Sequence, residues 1–331
     1  MINYTEGQVN MVWHPYMPMG DYSKEPTIIV KGEGIYVEDI SGKKYIDASS
    51  SLWNVCLGHG NREIIDMIIE QLNMLQYFPL FGYSNEPSLK LAAKISEITN
   101  GRYKHFLFTN SGSEAIDTAI KIARQYFRNK GKNNKIKIIS LNRGFHGVTF
   151  GAMSAGGIKL EREKFEPLMD GFIKIEPPYC FRCVYNKTYP SCKLACANKL
   201  EEVIIEEDPE TVAAFLAEPV LGAGGIIVPP HEYFKIIKEI CNKYDVKFIT
   251  DEVTTGFGRI GNVLGLDNWN ITSDIFASAK GISSGYLPLG VVGVTEEIYE
   301  AFLGGLDKKL NHGFTTTGHP VCCIAALTTL N

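Results

Sequence analysis

Apolar positions along the chain follow two different periods. Spacings of three and four residues run through about 62–75, 86–98, 113–129, 198–206 and 231–244, and each predicts a helix with one buried stripe. Between or after them, short apolar runs at about 105–109, 136–141, 213–217, 246–250, 275–279 and 289–294 predict strands. Strands that alternate with helices imply a mostly parallel sheet covered on both faces, and such sheets take ligands at the carboxyl ends of their strands. The start of the chain is patterned differently. Short strands at 27–30, 34–38 and 44–47, with a turn at Ser41-Gly42, predict a small antiparallel piece ahead of the main domain. The expected division is 1–60 as an N-terminal segment and 61–331 as a large α/β domain. After Pro320, residues Val321, Ile324, Ala325 and Leu327 open one more apolar helical stripe.

Composition narrows the class of protein. With 45% hydrophobic and 21% charged residues, a chain of 331 residues builds a substantial core, which excludes disorder. A formal net charge of −4 without Lys/Arg blocks argues against a nucleic-acid partner, since phosphate backbones call for a concentrated basic face. No segment has the apolar length to span a bilayer, and the opening Met1-Ile-Asn-Tyr-Thr-Glu6 lacks the pattern of a signal peptide, so a cytoplasmic address is expected. The eight cysteines are then expected to be reduced. Four of them, Cys180, Cys183, Cys192 and Cys196, are spaced C-x2-C-x8-C-x3-C. Two close pairs of thiolates suit structural zinc or, failing that, an iron–sulfur cluster; the competing reading is a loop whose thiols simply pack.

The candidate chemistry sits at strand ends. Asp251 closes the run Val246-Lys-Phe-Ile-Thr-Asp251 and Lys280 closes Ile275-Phe-Ala-Ser-Ala-Lys280. A carboxylate and an amine on neighbouring strand ends suit pyridoxal phosphate: the lysine can form a Schiff base with the cofactor aldehyde, and the aspartate can keep the pyridine nitrogen protonated. Taken alone, both could be ordinary surface charges. A third element, Thr109-Asn-Ser-Gly-Ser-Glu-Ala115, changes that balance, because it lies between a strand and a helix with apolar positions Ile116, Ala119, Ile120, Ala123 and Phe127. The amides of Gly112 and Ser113, the hydroxyls of Ser111 and Ser113, and the helix dipole form a phosphate cradle there. A simple serine N-cap is the alternative.

On the motifs Ser111-Gly-Ser-Glu-Ala115, Phe145-His-Gly147, Glu218-Pro219, Asp251-Glu-Val253, Ser278-Ala-Lys280 and His312-Gly-Phe-Thr315, in this order, the chain resembles the class III aminotransferases. The resemblance implies the α/β type I pyridoxal-phosphate transferase fold, a mostly parallel sheet flanked by helices. It makes 1–60 part of a small domain and 61–331 the cofactor domain. Class III enzymes continue past the helix that starts at Pro320, so the chain is expected to be C-terminally truncated, without the remainder of the small domain.

The resemblance also implies roles for individual residues. Phe145, where many members carry tyrosine, stacks on the cofactor ring, and Val253 packs on its opposite face. His146 supports the pocket by orienting Asp251, and Glu218 lies beside the cofactor unless it merely terminates its strand. Lys280 holds the cofactor and, once freed, moves the proton between substrate and cofactor carbons. Thr315 reaches the phosphate of the neighbouring subunit, which implies a homodimer. Trp53 falls at the substrate pocket, and Leu52-Trp53 with Leu57-Gly-His-Gly60 is similar to the branch that carries amines, omega-amino acids and taurine to pyruvate. The start, Trp13-His-Pro-Tyr16, is instead similar to diaminopelargonate synthase and places Tyr16 at the substrate, although that enzyme usually has two adjacent tryptophans where this chain has Leu52-Trp53. The expected function is transfer of an amino group from a terminal amine or omega-amino acid to a 2-oxo acid, pyruvate. The alternatives are diaminopelargonate synthesis, an aminomutase, and an inactive fragment or metal-binding module built on the cysteine loop.

Overall fold

The computed structural model describes residues 6–22 and 24–331. Residues 1–5 of the expected N-terminal segment lie outside the described residues. Two sheets organise the rest. Strands β1 (Ile29–Glu33), β2 (Tyr36–Asp39) and β3 (Lys44–Ile46) form the small antiparallel sheet that the turn at Ser41-Gly42 predicts. Its apolar side chains Ile29, Val30, Ile35, Tyr36 and Ile46 are all exposed.

The large sheet contains β4 (His105–Thr109), β5 (Lys137–Leu141), β6 (Phe172–Ile175), β7 (Val212–Ala217), β8 (Lys247–Asp251), β9 (Ile275–Ser278) and β10 (Gly290–Val294). Their order is β4-β10-β9-β8-β7-β5-β6, and β10 is antiparallel to both of its neighbours while the other pairings are parallel. Six strands therefore share one direction, and their carboxyl ends share one edge. β7 is buried along its whole length, as a strand covered on both faces must be.

Helix Gly112–Asn129 buries Ala115, Ile116, Ala119, Ile120, Ala123 and Phe127, the stripe seen in the sequence. It packs with Ile138, Ala214, Leu216, Ile249 and Ile275 on one face of the sheet. On the other face, helices Ala195–Glu206 and Tyr233–Lys243 close over Ile139, Phe215 and Phe248. Helix Pro320–Leu330 buries Val321 to Ala326 against Arg62–Met74 and Glu86–Ile98. Strand β6 is the strand of the large sheet that the periodicity missed, since its four residues Phe-Ile-Lys-Ile are half-buried at a sheet edge and too few to display a period; the short helices Phe150–Ala155 and Glu296–Glu300 escape it for the same want of length. Among the described residues, no helix is long and apolar enough to cross a membrane.

Candidate active site

Asp251 ends β8 opposite Ala277 of β9, three residues before Lys280, so the parallel pairing brings the carboxylate and the amine to one place. Asp251 is 3% exposed. Its Oδ2 lies 2.8 Å from His146 Nδ1, and its Oδ1 accepts from the Val253 amide at 3.0 Å. His146 is equally buried and its Nε2 has no partner among the described residues. Glu218, beyond the end of β7, accepts from the Phe145 amide at 3.0 Å through Oε1 and from Gly222 at 2.9 Å through Oε2. Burial and then the Asp251 charge push its carboxyl well above the ordinary range. Glu218 is thus more than a strand terminator, for it fixes the backbone that carries Phe145.

Lys280 lies at φ +46°, in the left-handed region that costs a side-chain-bearing residue about 1–2 kcal/mol. Its Nζ donates to Thr254 Oγ1 at 2.9 Å and stands 5.3 Å from the centre of the Trp53 ring. Burial pushes the amine below the ordinary lysine range, against the pull of Asp251 and Glu218.

The neighbouring carboxylate, Glu252, turns away from this group into the protein. Fully buried, it accepts from Thr255 Oγ1 at 2.6 Å, Gly265 N at 2.7 Å and Leu266 N at 2.9 Å. It thereby pins both ends of the loop that carries Val253, Thr254 and Arg259. Neither Glu252 nor Arg259 stands out in the sequence reading. For Arg259 a signal existed in the glycines of Gly256-Phe-Gly-Arg259, which mark a loop leaving a strand at the ligand edge.

Ser111 acts as the N-cap of its helix, with Oγ accepting from Glu114 N at 3.2 Å, and Ser113 Oγ accepts from Val148 N at 3.0 Å. Both hydroxyl protons remain free to donate. The amides of Gly112 and Ser113 meet no protein acceptor among the described residues, which leaves two aligned donors at a positive helix end. A Cβ on Gly112 would come within 2.8 Å of Val253 Cγ1, so only glycine lets the cradle approach the end of β8 this closely. The loop after His312 joins the same edge: Thr316 Oγ1 donates to Asn110 Oδ1 at 2.6 Å, and the Tyr77 hydroxyl donates to the Thr315 carbonyl. Thr315 itself is exposed.

Trp53 ends a run of left-handed residues, Ser50, Ser51, Leu52 and Trp53, with φ of 48°, 47°, 63° and 61°. Asp47 accepts from Ser51 N at 2.8 Å and Ser51 Oγ at 2.7 Å, while Arg259 Nη2 donates to the Trp53 carbonyl at 3.1 Å. Tyr16 is not brought to this group: it is 72% exposed with its hydroxyl beside Glu161. The expected zinc site is not supported, although Cys180, Cys183, Cys192 and Cys196 line one small cavity. Cys180 and Cys183 border a short turn and Cys196 is inside a helix, and among the described residues no three His, Cys, Asp or Glu groups are placed to hold a metal ion. Burial, and then the neighbouring cysteines, raise the Cys180 thiol; burial pushes Cys196 up to about 11. The metal-binding module loses its basis with it.

An amine whose proton is loosened by burial, a buried carboxylate held by a histidine, and an aligned pair of amides on a helix end fit pyridoxal phosphate, its aldehyde, ring nitrogen and phosphate respectively. The fold and this donor set define a type I pyridoxal-phosphate transferase. The chain belongs to the class III aminotransferases: residues 19–331 match the family model described as "Aminotransferase class-III". It is 38% identical over 325 residues to the adenosylmethionine-8-amino-7-oxononanoate aminotransferase of Geobacter sulfurreducens, covering 97% of this chain and 72% of that protein. It is also 36% identical to the omega-amino acid–pyruvate aminotransferase of Pseudomonas putida, covering 96% and 72%. The crystal structure of an amine transaminase from an uncultivated Pseudomonas species, with PLP bound, superposes with a TM-score of 0.93 at 36% identity, covering 96% of this chain and 73% of that one.

Proposed function

We propose that this aminotransferase moves an amino group from a terminal amine or omega-amino acid to a 2-oxo acid, pyruvate, in the cytoplasm and as a homodimer. The observation that carries the reading is the convergence of Lys280, the Asp251–His146 pair and the Ser111–Ser113 cradle on one edge of the sheet. In this reading 61–331 is the cofactor domain and 1–60 is part of the small domain. Bound there, the cofactor supplies an electron sink for the carbon that loses its proton. Ser111, Gly112 and Ser113 bind the phosphate. Phe145, set by Glu218, and Val253 enclose the ring and exclude water. Asp251, held by His146, keeps a proton on the ring nitrogen. Lys280 Nζ carries the proton between the two carbons. Trp53 walls the substrate side, and Thr315, exposed beside the cradle loop, reaches a partner subunit's phosphate.

A second reading, 8-amino-7-oxononanoate amination, is favoured by Trp13-His-Pro-Tyr16 and by the relatives that bear that name. In it Tyr16 contacts substrate, whereas within this chain its hydroxyl stands beside Glu161.

Incubation of the full chain with pyridoxal phosphate, pyruvate and either an omega-amino acid or an arylalkyl amine should yield alanine. Diamine formed from adenosylmethionine and 8-amino-7-oxononanoate, without alanine from the other donors, would select the second reading. Amino migration without any acceptor would select an aminomutase, and no transfer under any condition would overturn both proposals.

A further inference from the structure

The loop after β8 contains a residue that neither motif nor family reading assigns. Thr254 Oγ1 is the hydrogen-bond partner of Lys280 Nζ among the described residues, at 2.9 Å. A β-branched side chain is stiff about χ1, and the Thr254 methyl lies over Gly222, where a Cβ would stand 3.5 Å from it. Gly222 is in turn held by its backbone N–H, which donates to Glu218 Oε2 at 2.9 Å. With the methyl so placed, the hydroxyl faces the lysine. The backbone behind Thr254 is held by Glu252, through the Gly256 amide to its carbonyl and the Thr255 hydroxyl to its carboxylate. The lysine itself stands on a left-handed backbone, with φ of +46°.

We propose that Thr254 is a positioning residue that holds the free amine of Lys280 and sets how readily it sheds its proton. The proposal rests on Lys280 being the residue that bonds the cofactor. A lysine that performs this task must be released and recaptured in every cycle, and its amine must be neutral to attack an aldehyde or take up a proton. The groups facing the amine are Asp251 from β8, Glu218 from beyond β7, Arg259 from the loop, the Trp53 ring and Thr254. The carboxylates favour the ammonium and Arg259 opposes it. Thr254 accepts from the ammonium at hydrogen-bond distance and can reverse the bond to donate once the amine is neutral, so it holds the nitrogen in place in either state.

The test reads the lysine without turnover. Cofactor-free protein is mixed with pyridoxal phosphate across a pH series, and the rise in visible absorption is followed as the neutral amine attacks the aldehyde carbon and one water leaves. Because the cofactor's own ionisation is common to all variants, a displacement of the rate profile reports the amine. Thr254→Val keeps the shape and loses the acceptor, so the profile should move about one unit to lower pH, the size expected for one charge-assisted bond. Thr254→Ser should restore it. Coincident profiles for the wild type and Thr254→Val, with capture still abolished by Lys280→Ala, would overturn the proposal and leave the assignment of Lys280 standing. Unchanged capture by Lys280→Ala would overturn both.

Discussion

Glu252 offers a test of the site's scaffold that is independent of catalysis. Burial pushes its carboxyl from the ordinary 4.5 up to about 7, even though one hydroxyl and two amides are aimed at it. Below that pH the folded protein keeps the proton, with the Thr255 hydroxyl able to reverse its bond and accept it, whereas the unfolded chain releases it. The native state therefore binds the extra proton, and stability falls as pH rises. The contribution is fully present below about 4.5 and lost as pH passes through about 7. At about 1.4 kcal/mol per unit, the change amounts to roughly 3 kcal/mol, a large share of a typical folding free energy. Glu252→Gln cannot titrate, and its amide must direct a donor at the Gly265 or Leu266 amide or at Thr255, so it also loses about 1–3 kcal/mol at any pH. Urea unfolding of the cofactor-free protein at about pH 5 and about pH 8 isolates the effect, because every other ionisable group is common to both proteins. The gap between wild type and Glu252→Gln should narrow by roughly 3 kcal/mol on going to the higher pH. A gap that stays constant would show that Glu252 is already ionised in the fold.

Other outcomes follow from the site itself. Lys280→Ala should leave no cofactor fixed to the chain after borohydride reduction and should remove nearly all turnover; trapping at another lysine would refute the assignment. Asp251→Asn keeps the shape and the Val253 bond but loses a charge worth roughly 4 kcal/mol at about 4 Å in an effective dielectric of about 20, so turnover should fall about three orders of magnitude while cofactor still binds. Undiminished turnover would refute that role. If Thr315 acts across a dimer, dilution should release cofactor in step with dissociation seen by sedimentation, and Thr315→Ala should weaken binding in the dimer. Tight binding by a demonstrable monomer would show that it does not.

What the sequence reveals and what it hides have separate physical causes. Helix Gly112–Asn129 is legible because a long amphipathic stripe and a serine cap point to the same start, and β8 and β9 because runs of apolar residues end on charges. Ser111 shows that the two readings of one motif need not compete, as its oxygen caps the helix while its proton stays available. Glu252 is opaque because a carboxylate beside Asp251 looks like one more charge at a strand end, and its two backbone partners lie more than ten residues downstream. The cysteine spacing was permissive for a metal, but spacing says nothing of where a turn and a helix will place the sulfurs. Least legible is the backbone of Ser50–Trp53, for nothing in Ser-Ser-Leu-Trp announces a left-handed path.

That path has a consequence for altering the protein. Glycine usually weakens a chain, because it adds freedom to the unfolded state. At Leu52 the sign should reverse: the side chain is 77% exposed and contributes little burial, whereas φ of 63° burdens it with a penalty that glycine does not bear. Leu52→Gly should therefore raise the urea midpoint or leave it unchanged while Trp53 stays anchored through its carbonyl to Arg259. The wall beside the lysine can then be stiffened or remodelled from outside, one residue away from the ring that faces the amine, without exchanging any group that handles a proton.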